Sequence, residues 1–201
     1  MDKKLKSKLL PLVLPVVVIV LDQITKFLVT TYLPLRDGEL VRLGPSFLGD
    51  FLRIIHVNNP GVAFSFGTDW PLVIRRIAFS AFPVAILVIV MLLYFKSDTN
   101  KKGYEFTKLQ RWAIAGIVGG GVGNIIDRLF RADGVVDFID VKFFGIFGLE
   151  RWPTFNVADS AVVVCGIILI VSYIVQSVKE AKKTSKDSDK KEKKNKEQEN
   201  D

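Results

Sequence analysis

The residues of this 201-residue chain best suited to chemistry fall between Gly119 and Asp159. Asn124, Asp127 and Arg128 follow a glycine run. Asp137 sits in Val135-Val136-Asp137-Phe138, and Asn156 and Asp159 open the last apolar segment. Two carboxylates held close together cannot both ionise readily, so they share one proton. One then acts as base on a water while the other, protonated, polarises a carbonyl. Asp137 and Asp159 are the most economical such pair. A structural reading stands beside this one: Asp159 near a helix N-terminus is favoured by the helix dipole, and both carboxylates could simply cap or pair. Other chemistries lack their parts. The single His, His56, lies in a strand-like stretch, and the single Cys, Cys165, lies in an apolar run without a cationic neighbour. That leaves no Ser-His triad, no disulfide and no Cys/His metal site. Lys26 could act as a base for Ser160. Yet Ser160 points about 100° round a helix from Asp159, and no oxyanion motif accompanies it.

The elements that must position these groups are membrane spans. The chain is 49% hydrophobic with a mean hydropathy of +0.31, yet its net charge is +7. Apolar bulk and positive charge are segregated along it, which points to spans with basic flanks and not to a nucleic-acid partner. Apolar segments cover about 9–33, 71–95, 112–130 and 155–178. The first is too long for a secretory signal peptide, and no small-residue cleavage site follows it. Residues 34–70 differ from the spans. Leu40–Leu43 and Phe51–Val57 have strand-like β-branched and aromatic content, and Asn58-Asn59-Pro60-Gly61 reads as a turn. The expected fold is an all-α membrane protein: a four-transmembrane-helix bundle with a small extracytoplasmic β-sheet cradle. Gly116-xxx-Gly120 and Gly119-xxx-Gly123 supply a small-residue face for close helix contact. Residues 179–201, with nine Lys and seven acidic residues, are expected to be a disordered tail.

Lys and Arg counts set the orientation. The N-terminus, the 96–111 loop and the tail carry four, five and nine, against three in each of the other two loops. Both termini are therefore expected in the cytoplasm. The ends of spans one and three and the start of span four then face outward. Asp22 and Lys26, four apart on one helix face, join Asn124, Asp127, Arg128, Asn156 and Asp159 on that side, with Asp137 in the adjoining loop. Ionisable groups at membrane depth mark a functional site by default. A small ion-coupled transporter using Asp22, Lys26 and Asp127 as a relay is the alternative reading, although no inverted repeat is visible.

Five motifs appear in order: Asp22-Gln-x-Thr-Lys26, Asn59-x-Gly61-x-Ala63-Phe64, Gly123-Asn124-x-x-Asp127-Arg128, Val135-Val136-Asp137-Phe138 and Phe155-Asn156-x-Ala158-Asp159. Together they resemble the lipoprotein signal peptidase family, also called signal peptidase II. The resemblance covers roughly residues 9–178. It implies a multi-pass aspartyl endopeptidase of the bacterial cytoplasmic (inner) membrane that acts near the extracytoplasmic face. The implied substrate is a diacylglyceryl prolipoprotein, cleaved before its lipidated Cys. The implied catalytic pair is Asp137 and Asp159. Asp22, Lys26, Asn59, Gly61, Asn124, Asp127, Arg128 and Asn156 are the implied substrate-binding or supporting residues. No metal or organic cofactor is implied, the remaining partner is membrane lipid, and a monomer is expected. The 139–153 loop carries more aromatic residues than the resemblance predicts.

Overall fold

The structure is a computed structural model that describes residues 3–60, 71–97 and 106–198. Gly61, Ala63 and Phe64 of the second motif lie outside the described residues. The chain enters through α1 (Lys3–Leu9) and a 3-10 turn (Leu10–Leu12), and continues as α2 (Val13–Tyr32). Pro11 lacks the N–H that a continuous α-helix would use, so the helix tightens there. Strands β1 (Val41–Phe47) and β2 (Leu52–Asn59) follow, then α3 (Leu72–Lys96) and α4 (Lys108–Phe130). Thr107 starts α4 with a capping box. Its hydroxyl accepts from Gln110 N at 3.2 Å, and Gln110 Oε1 accepts from Thr107 N at 2.9 Å. Strands β3 (Val135–Ile146) and β4 (Leu149–Arg151) lead to α5 (Val157–Gln198).

Three described helical stretches are long and apolar enough to cross a membrane: Leu5–Tyr32, Lys108–Phe130 and Val157–Thr184. α3 adds a shorter apolar stretch over Ser80–Lys96. α4 is the central helix, packing against α2, α3 and α5. Its glycines divide the work. A Cβ on Gly116 or Gly120 would collide with Cys165 Sγ or Ala158 O of α5. A Cβ on Gly119 or Gly123 would lie 2.8 Å from Pro15 Cα or Asp22 Oδ2 of α2. The two spaced glycine pairs thus open two contact faces, one for each neighbour. Tyr94, Ile114 and Val118 fill the space between α3 and α4.

The sheet is larger than the sequence suggests. It has four antiparallel strands in the order β1-β2-β3-β4. The 131–154 segment, read as a loop, supplies half of it, because Val135-Val136 and Phe138-Ile139 favour extended backbone and find partners in β2. Asn58 and Asn59, read as a turn, instead end β2 opposite Val136 and Val135. Val29 of α2 packs with Val136 and Phe138, which seats the sheet on the helix end. Residues 179–198, expected as part of a disordered tail, continue α5 as helix to Gln198.

Candidate active site

Three elements converge at the site. β3 carries Asp137, the start of α5 carries Asn156 and Asp159, and the end of α4 carries Asn124. Phe155 docks the start of α5: its O accepts from Phe138 N at 3.0 Å and Ile139 N at 2.8 Å, pinning the preceding chain to β3. Asn156 then caps α5. Its Oδ1 accepts from Asp159 N at 2.9 Å, and Asp159 Oδ2 accepts from Asn156 N at 3.2 Å. So Asp159 does cap, as the structural reading holds, and it also faces the site with its other oxygen.

That oxygen, Asp159 Oδ1, accepts from Asn124 Nδ2 at 2.7 Å. Asn156 Nδ2 reaches across to Asp137 Oδ1 at 2.8 Å and Asn124 Oδ1 at 3.1 Å. Asp137 Oδ2 accepts from Asn59 Nδ2 at 3.1 Å. Asn59 and Asp137 are diagonal neighbours on one sheet face, since Val57 pairs with Asp137 and Asn59 with Val135. A bulge at Ile55–His56 precedes this pairing. His56 itself is structural, its Nδ1 lying 2.6 Å from Leu33 O.

The carboxyl of Asp137 is pushed up to about 7. Burial is the largest cause. Hydrogen bonds from Asn59 and Asn156 and the charge of Lys26 pull it back, while the charge of Asp159 raises it further. Near neutral pH Asp137 can therefore hold or release a proton beside Asp159. Arg128 lies where the charges of Asp159, Asp137 and Asp127 act on it, and its buried Nε has no hydrogen-bond partner. Ser160 Oγ is engaged with Asn156 O at 2.8 Å, a helix-surface contact and not a nucleophile's setting.

Behind the site, Asp22, Lys26 and Asp127 are fully buried. Lys26 Nζ contacts Asp22 Oδ2 at 2.8 Å, Asp127 Oδ2 at 2.7 Å and Asn124 Oδ1 at 3.0 Å. An ammonium has three N–H donors, and all three are used. Asp22 Oδ1 accepts from Ala158 N at 3.0 Å, and Asp127 Oδ2 from Val136 N at 3.3 Å. The cluster therefore fixes the start of α5 and of β3, the two elements that bear Asp159 and Asp137. Groups saturated in this way frame the two elements that carry the site.

The model of the family described as signal peptidase (SPase) II matches residues 14–175. The chain belongs to the signal peptidase II family. Proteins named lipoprotein signal peptidase in Treponema pallidum and Treponema denticola are each 47% identical to it. They match over 85% and 87% of this chain and over 86% and 94% of their own lengths. A bacterial membrane enzyme solved by the in meso method at 2.3 Å resolution matches with a TM-score of 0.64 at 25% identity, covering 83% of this chain and 88% of that one. This signal peptidase II chain is thus a peptidase, and its folded frame is that of a membrane enzyme.

Of the residues singled out in the sequence, Asp137, Asp159, Asn59, Asn124 and Asn156 meet directly. Asp22, Lys26 and Asp127 stand one contact behind, and Arg128 lies alongside. Three further residues contribute: Gln23, which the first motif contains without a role, and Arg131 and Gly134, which were not singled out. Gln23 Nε2 lies 3.2 Å from Asp22 Oδ2, Gly123 O and Asp127 Oδ1. Arg131 Nε donates to Asp127 Oδ1 at 3.0 Å, an i,i+4 spacing readable from the sequence. Gly134 has φ +97°, and a Cβ there would collide with Asn59 O. A lone glycine before Val135-Val136 gives no sequence signal of that approach.

Proposed function

We propose that this signal peptidase II chain is an aspartyl endopeptidase with Asp137 and Asp159 as its catalytic pair. The observation that carries this reading is the shared carboxamide clamp. Asn156 contacts both carboxylates, Asn124 and Asn59 each hold one, and Asp137 is pushed up to about 7. Asp159, in the first turn of α5, serves as the base on a water. Protonated Asp137 donates to the scissile carbonyl oxygen, and the proton later reaches the leaving nitrogen. Arg128, whose Nε has no partner, offers its guanidinium to a substrate carbonyl oxygen. Asp22, Lys26 and Asp127 act as supports, as does Gly61 in the second motif.

The substrate is the prolipoprotein that the relatives' name implies, modified by diacylglyceryl and cleaved before the lipidated Cys. A lipid anchor keeps the scissile bond at the membrane–water boundary, where the sheet meets the helix ends. In this reading four spans cross the cytoplasmic membrane, both termini are cytoplasmic, the site is extracytoplasmic and the protein acts as a monomer.

The test is a gel-shift cleavage assay with purified protein and a diacylglyceryl-modified prolipoprotein, with and without chelator. Chelator-resistant cleavage before the lipidated Cys, lost in folded Asp137→Asn and Asp159→Asn proteins, is the expected result. Cleavage that survives in Asp137→Asn would transfer the role to Asp127 or elsewhere. No cleavage by folded wild type across several signal sequences would refute the substrate assignment.

A further inference from the structure

The α4–α5 pair carries a groove at the end away from the site. The two helices touch closely where Gly116 and Gly120 meet Cys165 and Ala158. Toward the start of α4, a groove of about 660 Å³ runs between them. Leu109 of α4 and Ile168, Val171 and Val175 of α5 form its apolar walls, and Gln176 and Lys179 mark its polar end. Leu109, Val171 and Val175 remain exposed. From Ile167 to Val175 the apolar wall runs about 12 Å at the helical rise, close to the one-leaflet depth of about 15 Å. Lys179 stands about 30 Å along α5 from Asp159, which is the thickness of the hydrocarbon core. The polar end therefore lies at the membrane face opposite the site.

That end is cationic. Ile168, Val171 and Val175 recur at the three- and four-residue steps of one helix face, and Lys179, Lys182 and Lys183 continue the same face. Lys108 flanks the groove from the first turn of α4, where the helix dipole adds positive potential. All four lysines are exposed, and among the described residues none has a hydrogen-bond or ion-pair partner. The neighbouring acid, Glu180, is engaged. Gln110 Nε2 donates to Gln176 Oε1 at 2.9 Å, and Gln176 Nε2 donates to Glu180 Oε1 at 3.0 Å. An apolar slot one leaflet deep, topped by unpaired cations, matches an anionic phospholipid, with its acyl chain below and its phosphate above. The basic leading segment of a signal peptide would meet like charge here. A second copy of this chain would bring the same lysines against these.

We propose that the α4–α5 groove binds one anionic phospholipid of the leaflet opposite the site. An acyl chain lies between Leu109 and Val171, and the phosphate sits among Lys108, Lys179, Lys182 and Lys183. The lipid splints the two helices that bring Asn124 and Asp159 together, so the composition of that leaflet bears on the stability of the pair. It takes no part in peptide hydrolysis, so the site goes beyond the peptidase reading. Native mass spectrometry of the full chain, released from micelles holding equal phosphatidylglycerol and phosphatidylcholine, reads the lipid retained. Phosphatidylglycerol should be retained at least about tenfold over phosphatidylcholine. With Lys108→Gln, Lys179→Gln, Lys182→Gln and Lys183→Gln together, the preference should fall to within about twofold. Val171→Trp fills the groove and keeps the lysines; it should cut retention at least about fivefold. Phosphatidylglycerol should also raise the thermal midpoint of wild type and leave that of the lysine variant unmoved. The lysines are exposed, so that variant decides the matter even where the Trp protein fails to fold. Equal retention of both lipids by wild type overturns the proposal, as does a preference that survives in the lysine variant. Loss in the lysine variant with wild-type retention in folded Val171→Trp overturns the groove in favour of surface attraction. Release of phosphatidylglycerol on adding prolipoprotein overturns it too, making the groove a signal-peptide contact. A dimer that Val171→Trp dissociates would make it a contact between copies, with the same result. Because lipid retention needs no cleavage, a lipid-selective but inactive wild type would refute the peptidase reading alone.

Discussion

Replacing Asp137 by Asn should reverse the sign of a stability difference between acid and mildly alkaline pH. In the unfolded chain the carboxyl titrates at 3.8; in the folded protein, mainly through burial, at about 7. The folded state therefore binds more protons between those values. Its stability is full below 3.8 and is lost as pH rises through about 7. A gap of about three pH units corresponds to about 4 kcal/mol lost by pH 8. Asn does not ionise and escapes that loss. It brings its own penalty, because Asn59 Nδ2 and Asn156 Nδ2 both donate to Asp137, and the introduced amide has a single oxygen to receive them. One donor is left facing another, at a cost of roughly 1–3 kcal/mol. At pH 4 the variant should be less stable by that amount, and at pH 8 more stable by about 1–3 kcal/mol. Denaturant titration of both proteins in one detergent, followed by circular dichroism at pH 4, 6 and 8, reads the difference directly. Parallel curves across that range would refute the reasoning, because they would mean that Asp137 takes up no extra proton on folding.

Cleavage should respond to the same proton: with Asp137 as the acid, kcat/KM should fall about tenfold per unit as pH rises above about 7, in a pH–rate profile at saturating detergent. Gly134→Ala sets a Cβ against Asn59 O at a positive φ; it should displace the Asn59 donor, cost roughly 1–3 kcal/mol of stability and cut activity at least about tenfold, both measured beside wild type. Lys26→Met leaves Asp22 and Asp127 buried without their shared ammonium; a loss of roughly 3–5 kcal/mol is expected, seen as a lowered thermal midpoint, and an unchanged midpoint would refute the framing role of the cluster.

The site was legible where local spacing carries the information. Asp22 and Lys26 at i,i+4, and the Asn156/Asp159 pair at a helix start, can be placed on their faces from sequence alone. The 131–154 segment could not be read in this way. Val135, Val136, Asp137, Phe138 and Asp140 are all buried, so β3 lacks the in-out alternation that marks a half-exposed strand. Its charges also imitate a loop. Among the described residues Asp140 is held by Arg53 and Arg151, which the fold brings from β2 and β4. The helical continuation of α5 was hidden for another reason: composition reports the absence of a core, and a charged helix needs none. Gly134 and Gln23 matter through contacts with Asn59 and with α4, which only the folded arrangement creates.

The buried charge cluster bears on how the helices enter the membrane. Asp22 has Lys26 four residues ahead on α2, and Asp127 has Arg131 four residues ahead at the C-cap of α4. Each helix can thus be inserted carrying its own counter-ion, and neither needs a bare charge to cross into lipid. On docking, Lys26 is shared with Asp127, so two self-neutral hairpieces of charge become one four-membered lattice, and Ala158 N then joins it through Asp22. Parts that are each tolerable in lipid are thus joined into one held whole, which includes the helix bearing Asp159.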